Sequence, residues 1–424
     1  LISSSKKHSH KELSVYSGDM RLFFLFISSI ASFFSAFGIS FITDMLCTSS
    51  ETSNYFLLLS FASPLSSIKT NTQYISKLKS FSGSFSFIRK VEFLIVVAIT
   101  AYFYIRSSNV IYALSMGTAC YLFSLSLSAI ATKLSLMSSL RRDLQGPLKT
   151  IHVYLLRLVT FAIAITALTS TMMGEAFSIG RPVIALTATS ITLYAYYHFF
   201  LKQESIYERE IGESIDKENK STKIVMTQLF ISICMASWTS TDRWILGLAD
   251  IPAETLNTAS WSQTVSIACA SICFSSLYKY VKPKKHVSLG KKIFSSSQFF
   301  FASLFGILAI MLSISQFTPS FPALERYFVI DGHNILGITL VSVFTQRAGT
   351  FLVYQEENIK INLLQGLLML VSIIISAATF QHFIKSNILW SEVSIMLCSI
   401  AWFLSVFILQ KWLQKGGKKN SIFL

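Results

Sequence analysis

The chain has 424 residues, 52% of them hydrophobic and only 13% charged, and it carries a net charge of +15. A water-soluble domain carries roughly 25% charged residues, so this composition excludes one: there is too little charge to cover a water-facing surface. Nucleic acid is excluded as the reason for the basic excess, because the cations sit in short clusters between apolar runs, where they meet the cytoplasmic face of a membrane.

Residues 1–21 are polar and basic, with Lys6, Lys7 and Lys11, and read as a cytoplasmic tail. The first apolar run, Leu22 to Leu46, is too long for a signal-peptide core and has no small-residue cleavage site after it, so it reads as an uncleaved span. Further runs follow at 54–75, 91–105, 110–137, 151–173, 179–200, 224–249, 256–278, 293–316, 327–353, 361–383 and 389–413. Each approaches the roughly 20 residues that cross a bilayer, which predicts an all-α polytopic membrane protein of about twelve spans. The second run is interrupted by Pro64, Lys69, Asn71 and Gln73, and charge parity tests it. With the N-terminus inside, the odd connections hold few cations (Arg106, Arg181, Arg326, Lys385). The even ones are rich, from Lys77, Lys79, Arg89 and Lys90 to Lys279, Lys282, Lys284, Lys285, Lys291 and Lys292, and the basic tail 414–424 falls on their side. Deleting the second span would invert every later loop against the positive-inside bias, so both termini are expected in the cytoplasm of a cytoplasmic (inner) membrane protein.

A mixed-charge connection, 201–223, divides the chain into bundles of six spans each, 22–200 and 224–413, as a cytoplasmic linker would. Glu51-Thr52-Ser53-Asn54 after span 1 recurs as Glu254-Thr255-Leu256-Asn257 after span 7, at equivalent places in the two halves. Parallel halves of this kind are a recurrent transporter plan. The six cysteines, Cys47, Cys120, Cys234, Cys269, Cys273 and Cys398, show neither a CxxC pair nor a Cys/His ligand pattern and read as packing residues. No metal or cofactor is expected.

Ionisable side chains inside spans are costly and therefore functional candidates. Lys69, Lys133, Arg157 and Arg347 lie within about two turns of the expected cytoplasmic boundary, where they either snorkel to the interface or face a cavity. Asp242 and Arg243 lie far inside span 7 and point about 100° apart on a helix, so they are not a local i, i+4 couple; they are either a structural pair satisfied across helices or contacts for substrate or a coupling ion. Ser28, Ser32 and Ser35, and likewise Ser124, Ser128 and Ser135, share helix faces that either pack closely or line a hydrated path. Asn334, Thr339, Ser342, Thr345 and Gln346 make span 10 polar, and His198 and His382 sit near span ends. The outer connections are short, and the first offers only Glu51 as an acid, which disfavours a membrane glycan-modifying enzyme. No phosphate-binding loop, zinc set or nucleophile elbow occurs.

The six-plus-six layout, the basic inner loops and Trp238-Thr239-Ser240-Thr241-Asp242-Arg243-Trp244-Ile245-Leu246-Gly247 resemble the polysaccharide flippases, O-antigen translocase type, of the multidrug/oligosaccharidyl-lipid/polysaccharide exporter superfamily. Glu51 and Glu254 match that family's acidic turns after spans 1 and 7. The chain departs from the pattern in having Asn54-Tyr55 where Gly-Tyr is usual, and in lacking an obvious Arg at the end of span 2. The resemblance implies translocation of an undecaprenyl-diphosphate-linked oligosaccharide (an O-antigen or capsule repeat unit) by alternating access. It implies Lys69, Arg157, Arg243 and Arg347 as substrate contacts, and Asp242 as an ion-coupling group (H+ or Na+) or the partner of Arg243. It also implies membrane lipids and a glycan polymerase as partners, and neither nucleic acid nor enzymatic chemistry. A drug exporter of the same superfamily is the nearest alternative. A major-facilitator carrier fits less well, since residues 76–90 contain no Asp.

Overall fold

Inside hydrocarbon no water is available to bond free backbone groups, so apolar runs of this length are obliged to become helices. That is what the computed structural model shows over the residues it describes: 27–28, 30–76, 82–140, 145–171, 179–200, 222–249, 251–280, 327–330, 332–355, 359–384 and 388–420. The first half contains α1 (Ile30–Leu46), α2 (Ser49–Ser76), α3 (Ser82–Ser107), α4 (Val110–Leu140), α5 (Gln145–Thr171) and α6 (Arg181–Phe200). The second contains α7 (Thr222–Trp238), α8 (Thr241–Leu248), α9 (Ala253–Tyr280), a hairpin of β1 (Val329–Ile330) and β2 (His333–Asn334), then α10 (Leu336–Gln355), α11 (Ile359–Phe383) and α12 (Ile388–Asn420). The protein is thus a polytopic helical membrane protein. Val110–Ser128, Thr150–Thr171, Ile361–Phe383 and Ile388–Gln410 are long and apolar enough by themselves to cross a membrane. The expected linker 201–223 falls almost wholly outside the described residues, and the ninth run, 293–316, lies entirely outside them.

The second run, kept as a span on charge parity, is one unbroken helix through Pro64, because in a tightly packed bundle neighbouring groups offset the bond that proline removes. Two local readings change. The seventh run is broken in two at Thr239–Ser240. The tenth begins as a hairpin: Val329 pairs with Asn334 and Ile330 with His333 across a turn in which Gly332 adopts φ +77°.

Serine and threonine are carried through the membrane by bonding their own helix. Thr43 Oγ1 donates to the Ile39 carbonyl (2.8 Å), Ser124 Oγ to Cys120 (2.6 Å) and Ser190 Oγ to Leu186 (2.7 Å), which removes most of the cost of placing a hydroxyl in hydrocarbon. Helix starts are capped in the usual ways. Thr48 and Glu51 form a capping box on α2, with Thr48 N–H donating to Glu51 Oε2 (3.0 Å), and Asn109 Oδ1 accepts from Tyr112 N–H (3.1 Å) on α4.

The halves meet along α2, which packs against α3, α4 and α6 on one side and α7, α8 and α9 on the other. Two tryptophans of the second half form the junction. Trp244 stacks on Phe61 (5.0 Å, 9°) and donates Nε1–H to Ser60 Oγ (3.0 Å), while Tyr102 of α3 donates to its carbonyl (2.8 Å). Trp261 meets Phe37, Phe56 and Tyr327 edge-on at 5.3, 5.9 and 5.0 Å. Gly247 touches the Tyr102 hydroxyl and Leu57, leaving no room for a side chain where α8 docks. Within the second half a separate core gathers around Trp238 and Trp402, 5.4 Å apart. Large apolar side chains face outward, among them Leu155, Val159 and Ile163 on α5 and Val371, Ile374 and Ile375 on α11, as a lipid solvent permits.

Candidate functional site: buried charges in the two halves

The break in the seventh run creates two opposed helix ends inside the protein. The last carbonyls of α7 are a partial negative pole and the first amides of α8 a partial positive one. Arg243 answers the first: its Nη2 donates to the Thr239 carbonyl (2.7 Å) and to Ser240 Oγ (3.3 Å). Asp242 sits in the first turn of α8, where the dipole favours an anion. So the adjacent pair divides between two helix termini, and no Asp242–Arg243 ion pair forms.

Both residues are buried, Asp242 to 0% and Arg243 to 4% exposure, and so is Glu392 near the start of α12, at 2%. Glu392 lies within electrostatic reach of Asp242 and Arg243. Gln263 of α9 and the backbone amide of Arg243 approach the Asp242 carboxylate without completing a hydrogen bond. Both Asp242 oxygens, Arg243 Nε and Glu392 Oε1 are buried without a hydrogen-bond partner. Two carboxylates and one guanidinium leave this cluster one positive charge short of neutrality, and burying a net charge is costly.

Arg157 is arranged differently. It lies midway along α5, its guanidinium 5.5 Å from the centroid of the Phe123 ring, with Tyr55 and Tyr154 close enough to act on it. Its side chain is half-buried. Among the described residues it forms no ion pair. Nearby, the Tyr55 hydroxyl is hydrogen-bonded to Ser40 Oγ (3.0 Å).

Arg347 is half-buried on α10 beside Gln346, whose Nε2 donates to Ser399 Oγ (3.0 Å) of α12. Lys69 and Lys133 lie on α2 and α4, but their side chains are outside the described residues. The four expected substrate contacts are thus spread over four elements, and Arg243 alone of them joins the acidic cluster. Glu392 escapes the sequence reading although it is an acid inside the twelfth run, the signal that singles out Asp242. Glu51 is more than an acidic turn: besides capping α2 it accepts from Arg181 Nε (2.9 Å) and Nη2 (2.7 Å) and from its backbone N–H (3.1 Å). Burial alone would raise this carboxyl, but the Arg181 hydrogen bonds and charge, with the Thr48 amide, bring it down to about 2. Gly180, at φ +86°, presses against Glu51 so closely that its place admits no side chain without crowding.

No protein-family model and no curated protein matches the sequence. Solved structures do resemble it in backbone. A MATE protein in complex with MaL6 is 12% identical over 93% of this chain and 97% of its own, with a TM-score of 0.50. A MOP superfamily transporter from Pyrococcus furiosus Vc1 (DSM3638) is 11% identical over 92% and 95%, with a TM-score of 0.47. An outward-facing multidrug resistance MATE family transporter of the MOP superfamily is 12% identical over 94% and 96%, with a TM-score of 0.46. The first of these likenesses shows that the chain has a MATE-like fold.

Proposed function

We propose that this chain is a transporter rather than an enzyme, and that it moves an undecaprenyl-diphosphate-linked oligosaccharide from the cytoplasmic to the outer leaflet of the inner membrane by alternating access between its two halves. The observation that carries the reading is Arg157, a half-buried cation inside a membrane-crossing stretch with no carboxylate on it among the described residues. Such a group needs an anion, and a diphosphate arriving from the bilayer supplies one through charge-assisted hydrogen bonds. Tyr154, half-buried on the same helix and close enough to act on Arg157, is a candidate to meet sugar or phosphate oxygens. Lys69 and Arg347 are further candidates for the same substrate, and Arg243 a weaker one, since its Nη2 is committed to the end of α7. The MATE-like fold and the tight contact of the halves along α2 are in keeping with a two-bundle carrier. Both termini on the cytoplasmic side and a glycan polymerase as downstream partner belong to the same proposal.

The cluster of Asp242, Arg243 and Glu392 is proposed as the coupling site. A proton shared by the two acids, or one Na+ against them, cancels its residual charge. Binding and release of that cation would change the cost of keeping the cluster buried.

The test is a deletion strain that lacks a surface polysaccharide while lipid-linked repeat units accumulate on the inner leaflet, complemented by variants of Arg157. Arg157→Ala at normal abundance should fail to restore surface glycan, and Arg157→Lys should restore part of it, because a point charge attracts phosphate but loses the bidentate fork. Normal surface glycan in the deletion strain, with no second transporter present, sinks the reading. A drug exporter would be recognised by unchanged glycan and increased sensitivity to toxic compounds.

A further inference from the structure

Between α4 and α6 a groove of about 470 Å³ runs along the surface, lined among others by Leu114, Thr118, Leu122, Ile184, Ala188 and Ile191. We infer that it binds one hydrocarbon chain of an anionic glycerophospholipid, whose phosphate rests on Arg181. Val110–Ser128 of α4 is one of the stretches able to cross the membrane unaided, so the groove opens on hydrocarbon. Along α6 the wall runs from Ile184 to Ile191, about 10 Å, within the depth of a single leaflet in a hydrocarbon core of about 30 Å. A groove of that length takes one chain from one leaflet. Its walls are mainly apolar, and Thr187, the hydroxyl on the α6 side, already donates to the Val183 carbonyl (2.8 Å).

The head of the groove is built as well. Arg181, Ile184, Ala188 and Ile191 follow one another at spacings of three and four and so share one face of α6, which puts the guanidinium one turn beyond the apolar wall. Arg181 uses Nε, Nη2 and its backbone N–H on Glu51. Its Nη1 has no hydrogen-bond partner among the described residues, and 23% of the side chain is exposed. Glu51 offsets the charge and holds the guanidinium rigid, while the Nη1 hydrogens remain free to meet a phosphate oxygen. A cation held at an interface above an apolar groove is a lipid-shaped site. The inference needs only that the chain spans a membrane and does not depend on what is transported.

Ordinary bilayer contact is the competing explanation, and α11 is the built-in control, since Val371 and Ile374 are 51% and 59% exposed on a lipid-facing helix. The full-length chain is placed in phosphatidylcholine nanodiscs containing a trace of phosphatidylglycerol with a photoactivatable acyl chain, and the adducts are mapped by mass spectrometry. Labelling should concentrate on 114–122 and 179–191 over 371–375, and unlabelled phosphatidylglycerol should compete for it better than phosphatidylcholine. Ala188→Trp, which fills the groove from an exposed position, should reduce this labelling to the α11 level and leave α11 unchanged; Thr118→Phe serves if the first variant is unstable. The paired change Glu51→Gln with Arg181→Gln should abolish the headgroup preference while the groove is still labelled. Equal labelling of the groove and α11 in the unaltered protein overturns the site, and a headgroup preference that survives the paired change overturns the place given to Arg181.

Discussion

The two halves of the molecule treat charge in opposite ways. In the first, Arg157 forms no ion pair among the described residues, while Glu51 and Arg181 are hydrogen-bonded to each other. In the second, three ionisable side chains are buried together at a helix break, and most of their polar atoms have no partner. Similar layouts can therefore serve different tasks: a lone cation attracts an external anion, whereas an internal cluster short of one positive charge attracts a proton or a small cation. The difference also has a stability side, because breaking a buried set of charges strands the remainder, while removing an unpaired cation strands nothing.

Removing Arg243 is the severest test of that contrast. Arg243→Ala leaves two buried carboxylates and an uncapped α7 end, and is expected to cost about 3–5 kcal/mol, seen as loss of folded protein and a large drop in thermal midpoint in detergent. Changing Asp242→Asn together with Arg243→Gln should recover most of it by removing both charges. An Arg243→Ala protein of normal stability would erase the distinction between the halves. Arg157→Ala comes next: transport should fall to background while the thermal midpoint moves by less than the equivalent of about 1 kcal/mol. A collapse in abundance would mean that Arg157, too, is structural.

Glu392→Gln sharpens the comparison within the second half. It leaves one acid and one base, a neutral set, so the protein should stay folded while transport loses its dependence on the pH or Na+ gradient. Persistence of that dependence would move coupling elsewhere. The smallest effect is at Glu51. Its folded pKa of about 2 lies below the ordinary value of 4.5, so its stabilisation is fully present above that ordinary value and is lost as pH falls from about 4 towards 2. Because the pair is partly exposed, Glu51→Gln should cost only about 1 kcal/mol at neutral pH and flatten this acid limb of the stability curve. An acid limb unchanged in the variant would assign it to another carboxylate.

The sequence shows the helices well and the irregular joints poorly, for a physical reason. Apolar length is set by the bilayer, and it survives averaging over a run; a two-residue break does not. Thr239-Ser240-Thr241-Asp242 carries the residue types that start helices, so the break was legible once the run was no longer read as a single span. In the same way Asp331-Gly332 is a hairpin signal submerged in an apolar stretch. The Asp242–Arg243 pair was visible as a cost in hydrocarbon, whereas its division between two helix ends was not, because that depends on where α7 stops. Glu392 was hidden by the strongly apolar segment around it, and its proximity to Asp242 arises from packing between helices far apart in the chain. Arg157 lies about two turns into the apolar stretch Thr150–Thr171, near a boundary as its place in the fifth run implies, although α5 itself begins earlier, at Gln145.

The tryptophans at the junction of the halves have an optical consequence. Trp244 lies against Phe61 and Trp261 against Phe37 and Phe56, across the line along which two rigid bundles would part, whereas Trp238 and Trp402 face each other within one bundle. Separation of the bundles would rehydrate the first two indoles and leave the second two untouched. In a background where Trp238, Trp390, Trp402 and Trp412 are phenylalanine, the intrinsic emission of this chain would then report opening of the seam directly, shifting to the red as Trp244 and Trp261 meet water and returning as they redock.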